Sequence, residues 1–336
     1  METPLAPIDA TQSRHVSVVV PTRGRPALLA RCLDALCRQT LARQRYEIII
    51  VDDGPDDRTR SVVELCAARM AAHDLAVTYV PSSGPHGPAA ARNRGWRHAK
   101  SEIIAFTDDD TEPDPNWLAA GLRAFHAGID AVCGLVVMPL PDAPRDYERD
   151  ASGLAQAEFV TANCFCRKAV LARLGGFDER FPLAWREDSD LHFRLLRAGA
   201  HIASARDAVV VHPVRAARWG ISLTQQRKIM FDALLYRKHP QLYRARIRKS
   251  PRWDYYAAVA ALALVPLALA LGAAHLALAA AAVWAGITGW FCIARLRHTS
   301  KEAVHVAEML LTSALIPPLA VFWRIVGCIR YRAWLA

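Results

Sequence analysis

Ile103-Ile104-Ala105-Phe106-Thr107-Asp108-Asp109-Asp110 is the stretch on which the reading of the fold turns. Residues 103–107 are uncharged and mostly β-branched or aromatic, and three carboxylates follow at once. An apolar run of that length predicts a strand buried on both faces, which belongs in a parallel sheet covered by helices. In open sheets of this kind ligands bind beyond the carboxyl ends of the strands. The aspartates fall at such an end.

Three adjacent carboxylates resist ionising together. A hard divalent cation, Mg²⁺ or Mn²⁺, relieves the repulsion and prefers oxygen ligands. Asp108 and Asp110, alternate residues, could meet one such metal together with the phosphates of a bound nucleotide. The competing reading is a helix N-terminus, where acidic residues are favoured, because Pro113-x-Pro115 leads into a helical stretch at 116–125.

Working outward, the same alternation recurs. Residues 16–20 form a β-branched run closed by Pro21, and 26–39 carry an apolar stripe at helical spacing. A second strand is predicted at 46–51, stopped by Asp52-Asp53-Gly54-Pro55, then helix at 57–72, strand at 76–80 and helix at 89–99. The expected fold is therefore α/β, a Rossmann-like, mostly parallel sheet. Asp52-Asp53 is a second acidic cluster at a strand end. A dinucleotide cradle is excluded, because Pro21-Thr22-Arg23-Gly24-Arg25-Pro26 holds one glycine where G-x-G-x-x-G is required, and no phosphate loop occurs elsewhere.

Ala91-Arg92-Asn93-Arg94-Gly95 places two guanidinium groups upstream of the aspartates, and arginine pairs bidentately with phosphate. Glu187-Asp188-Ser189-Asp190 opens an apolar-periodic stretch at 191–196, where Ser189 or Asp190 could simply cap a helix. His212 follows a strand-like run at 208–211 and is a candidate metal ligand.

Taken in order, five stretches resemble the family 2 glycosyltransferases, inverting enzymes with a GT-A-type nucleotide-sugar domain. They are Val18-Val19-Val20-Pro21-Thr22-Arg23, Ile50-Val51-Asp52-Asp53-Gly54, Ala91-Arg92-Asn93-Arg94-Gly95, Phe106-Thr107-Asp108-Asp109-Asp110, and Leu174-Gly175-Gly176-Phe177-Asp178-Glu179 leading to Glu187-Asp188. The resemblance implies a donor site at Pro21, Thr22, Arg23, Asp52, Asp53, Arg92, Asp108 and Asp109. It implies a divalent cation (Mg²⁺ or Mn²⁺) on Asp108 and Asp110 of the D-x-D motif, with His212 as a further contact. It implies Asp188 as catalytic base, with Trp185 and Glu187 on the acceptor side. The implied enzyme is a metal-dependent, inverting hexosyltransferase using a nucleotide-sugar donor, a UDP-sugar above others. Processive members carry Q-x-x-R-W after the base. Here Arg215-Ala216-Ala217-Arg218-Trp219 keeps only the last two residues, which favours single addition. A metal-dependent nucleotidyl- or phosphotransferase, or a non-catalytic membrane scaffold, is the alternative.

Charge and hydropathy set the remainder. The net charge of +10 sits outside the head: residues 1–236 hold 29 basic and 29 acidic side chains, so no nucleic-acid partner is expected. Residues 237–254 carry seven basic side chains and one acidic, and 255–294 are 40 residues without a formal charge. Two spans need about 40 apolar residues, and Gly272-Ala273-Ala274-His275 offers the turn. Basic flanks on both sides of this hairpin, with Trp253, Tyr255 and Tyr256 at headgroup level, predict an inner (cytoplasmic) membrane protein whose head faces the cytoplasm. Its acceptor is then expected to be a lipid or lipid-linked sugar. The expected organisation is an N-terminal tail (1–14) without a secretory apolar core, a GT-A domain (15–236), a basic juxtamembrane segment (237–254), a transmembrane hairpin (255–294) and a membrane-associated segment (295–336). Within the last, 303–323 reads as re-entrant or interfacial rather than as a third span, because Glu308 and Pro317-Pro318 weaken a straight span and one would export Arg324, Arg330 and Arg332. The eight cysteines lack zinc or redox spacing and are expected to be reduced and buried.

Overall fold

The computed structural model describes residues 15–334, so the tail expected at 1–14 lies outside the described residues. The chain divides into two compact units. One runs to Pro139 and resumes over Gly153–Pro213; the other joins Leu140–Ser152 to the chain from Val214 onward.

The first unit alternates as its hydrophobic pattern requires: β1 (Val16–Thr22), α1 (Pro26–Cys37), β2 (Tyr46–Asp52), α2 (Asp57–Ala71), β3 (Ala76–Pro81), α3 (Pro88–His98), β4 (Ile103–Phe106), β5 (Glu112–Pro113), α4 (Trp117–Arg123) and β6 (Ala131–Val137). After α5 (Asp146–Ser152), which belongs to the second unit, come β7 (Cys164–Arg167), α6 (Lys168–Leu174), α7 (Glu187–Arg197) and β8 (Ile202–Val211). The eight strands form one sheet in the order β3-β2-β1-β4-β7-β6-β8-β5. The first four are parallel, whereas β7 runs antiparallel to both β4 and β6, and β5 antiparallel to β8. The sheet is thus mixed, and the Rossmann-like expectation holds only for its first half.

Alternate residues of the strands feed opposite faces. Val18, Val20, Ile48, Ile50 and Ile103 meet Leu29, Leu33 and Leu36 of α1 and Val63 of α2 in one core. Val19, Ile49, Val51, Ile104 and Phe106 meet Ala91 and Trp96 of α3 and Leu191 and Leu195 of α7 in the other. Gly95 is required for this second layer, since a Cβ there would collide with Val19 Cγ1 and crowd Val51. Pro21 does not close β1; it pairs with Val51 inside the strand. The helix expected at 116–125 starts only at Trp117, beyond β5, so the three aspartates do not cap it.

The second unit is helical. After α8 (Ile221–Gln225), α9 (Met230–Lys238) and α10 (Pro240–Arg246) come three helices long and apolar enough to cross a membrane: α11 (Trp253–Ala270), α12 (Ala274–Leu296) and α13 (Ala303–Tyr331). Gly272, at φ +72°, makes the turn between the first two. Pro317 and Pro318 lie inside α13, which continues unbroken to Tyr331. The division at 213/214 also differs from the boundary expected at 236/237. The reason is packing: Gly327 of α13 lies so close to the backbone of Met230 in α9 that no Cβ fits. Likewise Leu140–Ser152 is held by Arg295, whose Nη2 donates to Asp146 Oδ2 at 2.7 Å.

Candidate active site

Register brings the acidic strand ends together. Thr22 lies opposite Asp52, and Val19 opposite Phe106, so the carboxyl ends of β1, β2 and β4 are neighbours. His212 follows β8, and its amide donates to Val137 O. Because Glu112 pairs with Val211, the chain leaving Asp110 passes directly beside it. His212 therefore reaches the aspartates through the antiparallel edge of the sheet.

The turn after β4 decides where each carboxylate points. Thr111 donates through its amide and Oγ1 to Asp108 O, and Thr107 Oγ1 donates to Ala162 O. Held this way, Asp109 turns inward and is fully buried. It accepts from Thr22 Oγ1 at 2.7 Å and pairs with Arg25 Nη2 at 3.0 Å. Burial pushes its carboxyl up to about 6, partly opposed by Arg25 and Thr22. Thr22 and Asp109, expected from the sequence as donor contacts, thus spend their polar atoms on each other, and Pro21 is buried in the sheet.

Asp108, partly exposed, and Asp110, buried, gather beside His212. One ligand atom from each of these three residues lies within 4.8 Å of the others, which makes them a candidate metal site. Asp110 Oδ1 is 3.7 Å from His212 Nε2, too long for a hydrogen bond and suited to two ligands of one ion. Arg25 Nη1 stands 3.5 Å from the other oxygen of Asp110. The two carboxylates are of the kind Mg²⁺ or Mn²⁺ prefers, and the imidazole adds a nitrogen ligand of the kind transition metals take.

Arg92 is not beside open solvent but 3% exposed. Its Nη2 donates to Asp108 Oδ1 at 2.6 Å and its Nη1 to Glu187 Oε1 at 3.2 Å. One guanidinium therefore links the D-x-D turn to the first residue of α7. Burial raises the Asp108 carboxyl, but Arg92 and then His212 more than offset this and hold it below the ordinary range. Glu187, expected on the acceptor side, is also buried, and burial and then the neighbouring Asp188 charge push it up to about 7.

Asp188 is half-buried and accepts from Ser189 N at 2.6 Å. Burial raises its carboxyl above the usual range against the pull of that amide and of Arg186 and Arg92. Trp185 is half-buried, with the Arg186 guanidinium 4.4 Å from its ring centroid. Asp190, weighed as a cap, is instead buried and paired with Arg194 at 2.8 Å.

The second acidic cluster is also turned inward. Asp52 accepts from Gly54 N, Asp56 N and Tyr79 OH, and is fully buried. Asp53 Oδ2 accepts from Gly87 N at 2.9 Å, with His86 and Arg23 beside it. Among the expected donor contacts Arg23 is the exposed one, at 65% of its side chain. Arg94 turns away from the aspartates to Ser82 Oγ and Ser83 O.

Two residues escaped sequence reasoning. Arg25 stands in the quoted loop without a role, although a buried Asp109 demands a counter-charge. Asn93 fixes the loop that precedes α7: its Nδ2 donates to Phe177 O and Glu179 Oε1, and its Oδ1 accepts from Phe177 N and Trp96 Nε1.

Two family models match the chain, one described as glycosyl transferase family 2 over residues 17–173 and one as glycosyl transferase family group 2 over residues 103–326. Glycosyltransferase AglE of Haloferax volcanii is 29% identical over 212 residues, 60% of this chain and 67% of its own length. Validoxylamine A glucosyltransferase of Streptomyces hygroscopicus subsp. jinggangensis is 29% identical over 275 residues, 68% of this chain and 61% of its own. The pre-mycofactocin glycosyltransferase of Mycobacterium tuberculosis is 29% identical, and the chain spans 45% of its length. Among solved structures, a mannosyltransferase from Pyrobaculum calidifontis in complex with GDP-Man and Mn²⁺ shares the fold. It has a TM-score of 0.55 at 23% identity and covers 98% of this chain and 89% of its own.

Proposed function

Because the chain belongs to the family 2 glycosyltransferases, we propose that it moves a sugar from a nucleoside-diphosphate donor to an acceptor hydroxyl near a membrane, with inversion. The acceptor class is a lipid or lipid-linked sugar, and the donor a UDP-sugar. The observation that carries this reading is the Arg92 bridge, which ties Asp108 to Glu187 and so sets Asp188 one residue from a group bonded to the D-x-D turn. A donor site and a base held by one buried cation suit a single in-line displacement.

In that displacement the bond from the anomeric carbon to the diphosphate breaks as the acceptor oxygen forms its own bond to that carbon. Asp188 takes the proton of the attacking hydroxyl. Its raised carboxyl brings it closer to neutrality, where a general base works best. Asp108, Asp110 and His212 would hold the divalent cation, which when bound supplies a Lewis acid for the departing diphosphate. Arg23, exposed beside Asp53, offers a guanidinium to the donor. Pro21, Thr22, Asp52 and Asp109 shape the walls from within. Trp185, with Arg186 over its ring, offers an apolar surface on the acceptor side. The three apolar helices support a membrane-proximal acceptor. The basic flanks of α11 and α12 support a head on the cytoplasmic side of an inner membrane.

The test is a screen of nucleotide sugars against the purified full chain in detergent, with and without Mn²⁺, scoring metal-dependent binding and the nucleotide released. Release of a nucleoside diphosphate, with a product of opposite anomeric configuration, is expected. Release of a nucleoside monophosphate would replace glycosyl transfer by phosphoryl-type chemistry.

A further inference from the structure

A second charged cluster lies in the helical unit. Arg324 sits in α13 and is 8% exposed, and its Nη1 has no hydrogen-bond partner. It is buried because α13 approaches α9 closely here, with Gly327 against the backbone of Met230. Arg324 lines a narrow cleft open to solvent, with room inside for about one water, so that an anion would sit at its mouth, together with Arg244, Arg248, Lys249, Tyr236 and Tyr243. Four cations line it and no carboxylate does. The tyrosines do not discharge them: Arg244 donates to Tyr236 OH at 2.9 Å, while Tyr243 OH donates to Asp232 at 3.2 Å.

A buried guanidinium nitrogen without a partner is unfavourable, and gathering three further cations around it adds repulsion. An anion with several oxygens removes both penalties, and phosphate matches arginine donors best. Position in the chain identifies the source. Arg248 and Lys249 stand immediately before α11, whose first residues Trp253, Tyr255 and Tyr256 are of the type that settles at headgroup level. On α13, Arg324 lies seven residues from the end at Tyr331, roughly 10 Å along the axis. We propose that Arg244, Arg248, Lys249 and Arg324 form a binding site for the phosphate of a membrane lipid headgroup. The site is distinct from Asp108, Asp110 and His212 and independent of glycosyl transfer.

The experiment uses the full chain in neutral detergent and measures binding of short-chain phosphatidylglycerol and of diacylglycerol with the same acyl chains. Phosphatidylglycerol should bind at least about tenfold more tightly, weakening as salt rises. Both R324Q and the double variant R248Q/K249Q should lose about tenfold of that preference. The double variant changes side chains outside the buried core, so it remains informative if R324Q fails to fold. Equal binding of the two lipids, or an unchanged preference in R248Q/K249Q, overturns the proposal. Displacement of the lipid by inorganic phosphate at equal concentration would assign the site to a soluble anion and overturn the lipid source.

Discussion

Replacing Arg92 by methionine keeps most of the side-chain volume and removes the one cation that Asp108 and Glu187 share. The loss leaves two carboxylates facing the emptied position, one buried and the other 25% exposed. Removing one partner of a buried ion pair costs about 3–5 kcal/mol. For a unit of this size that lowers the unfolding temperature by roughly 10 °C. The pH dependence has a definite sign. In the wild type Asp108 is held below its ordinary range, so its contribution to stability is present above the unfolded carboxylate pKa and lost as pH falls through the depressed value. In Arg92→Met burial acts on Asp108 unopposed by its main counter-charge, and Glu187, already near 7, rises further. Both carboxyls then favour the folded state only when protonated, so the variant loses stability as pH rises. The acidic limb of kcat/KM should move to higher pH with it. Arg92→Met/Glu187→Gln removes one of the stranded charges and should recover part of the unfolding temperature. Thermal unfolding in detergent between pH 5 and 8, with the pH–rate profile of both variants, is the assay. An Arg92→Met protein with wild-type stability and an unmoved acidic limb would refute the bridge as the element that sets the charge of this site.

Asp188→Asn should leave donor binding intact and lower transfer about 10²–10⁴-fold, the usual contribution of a positioned base; loss of donor binding with normal saturated turnover would make Asp188 a donor contact. Chelation and Asp110→Asn should each abolish transfer, and full turnover in excess chelator would remove the metal from Asp108, Asp110 and His212. Gly95→Ala should destabilise the first unit by about 1–3 kcal/mol through overpacking against Val19 and Val51, read by denaturant unfolding. Single cysteines near Gly272, Arg297 and Trp334, on a cysteine-free background, should react with an impermeant reagent from outside only at Gly272 if α11 and α12 form a hairpin and the chain end stays inside. Labelling from outside at Trp334 would make α13 a full span, and at Arg297 would reverse the orientation.

The parallel half of the sheet was legible because its strands are continuous apolar runs: the predicted ranges 16–20, 46–51 and 76–80 differ from β1, β2 and β3 by one or two residues. The antiparallel half was not. Cys164–Arg167 and Glu112–Pro113 are too short to show a period, and it is β5 that carries Asp110 past His212. The D-x-D residues could be named from sequence, but three adjacent aspartates share one chemistry. Only the turn closed by Thr107 and Thr111 sends Asp109 inward. Arg23 and Arg25 are equally anonymous in sequence, and the structure separates an exposed arginine from one paired with Asp109. For α13 the sequence could not show that Pro317-Pro318 lie inside one continuous helix. An apolar helix tolerates the missing donors when the helix is buried against neighbours, and both Ile316 and Ala320 around the prolines are buried.

The interleaving of the two units imposes an order on synthesis. Asp146 leaves the ribosome 149 residues before Arg295, its ion-pair partner. At about 5–20 residues per second that is a wait of roughly 7–30 s. Throughout it, β7 and β8 can complete the sheet of the first unit, while Leu140–Ser152, already threaded between β6 and β7, stays without the helices that will hold it. A protein ended near residue 213 would keep its sheet and carry this segment permanently unmatched. Solubility of such a fragment would then depend on how Leu140–Ser152 behaves alone, and deletion of that loop is the change to make with it.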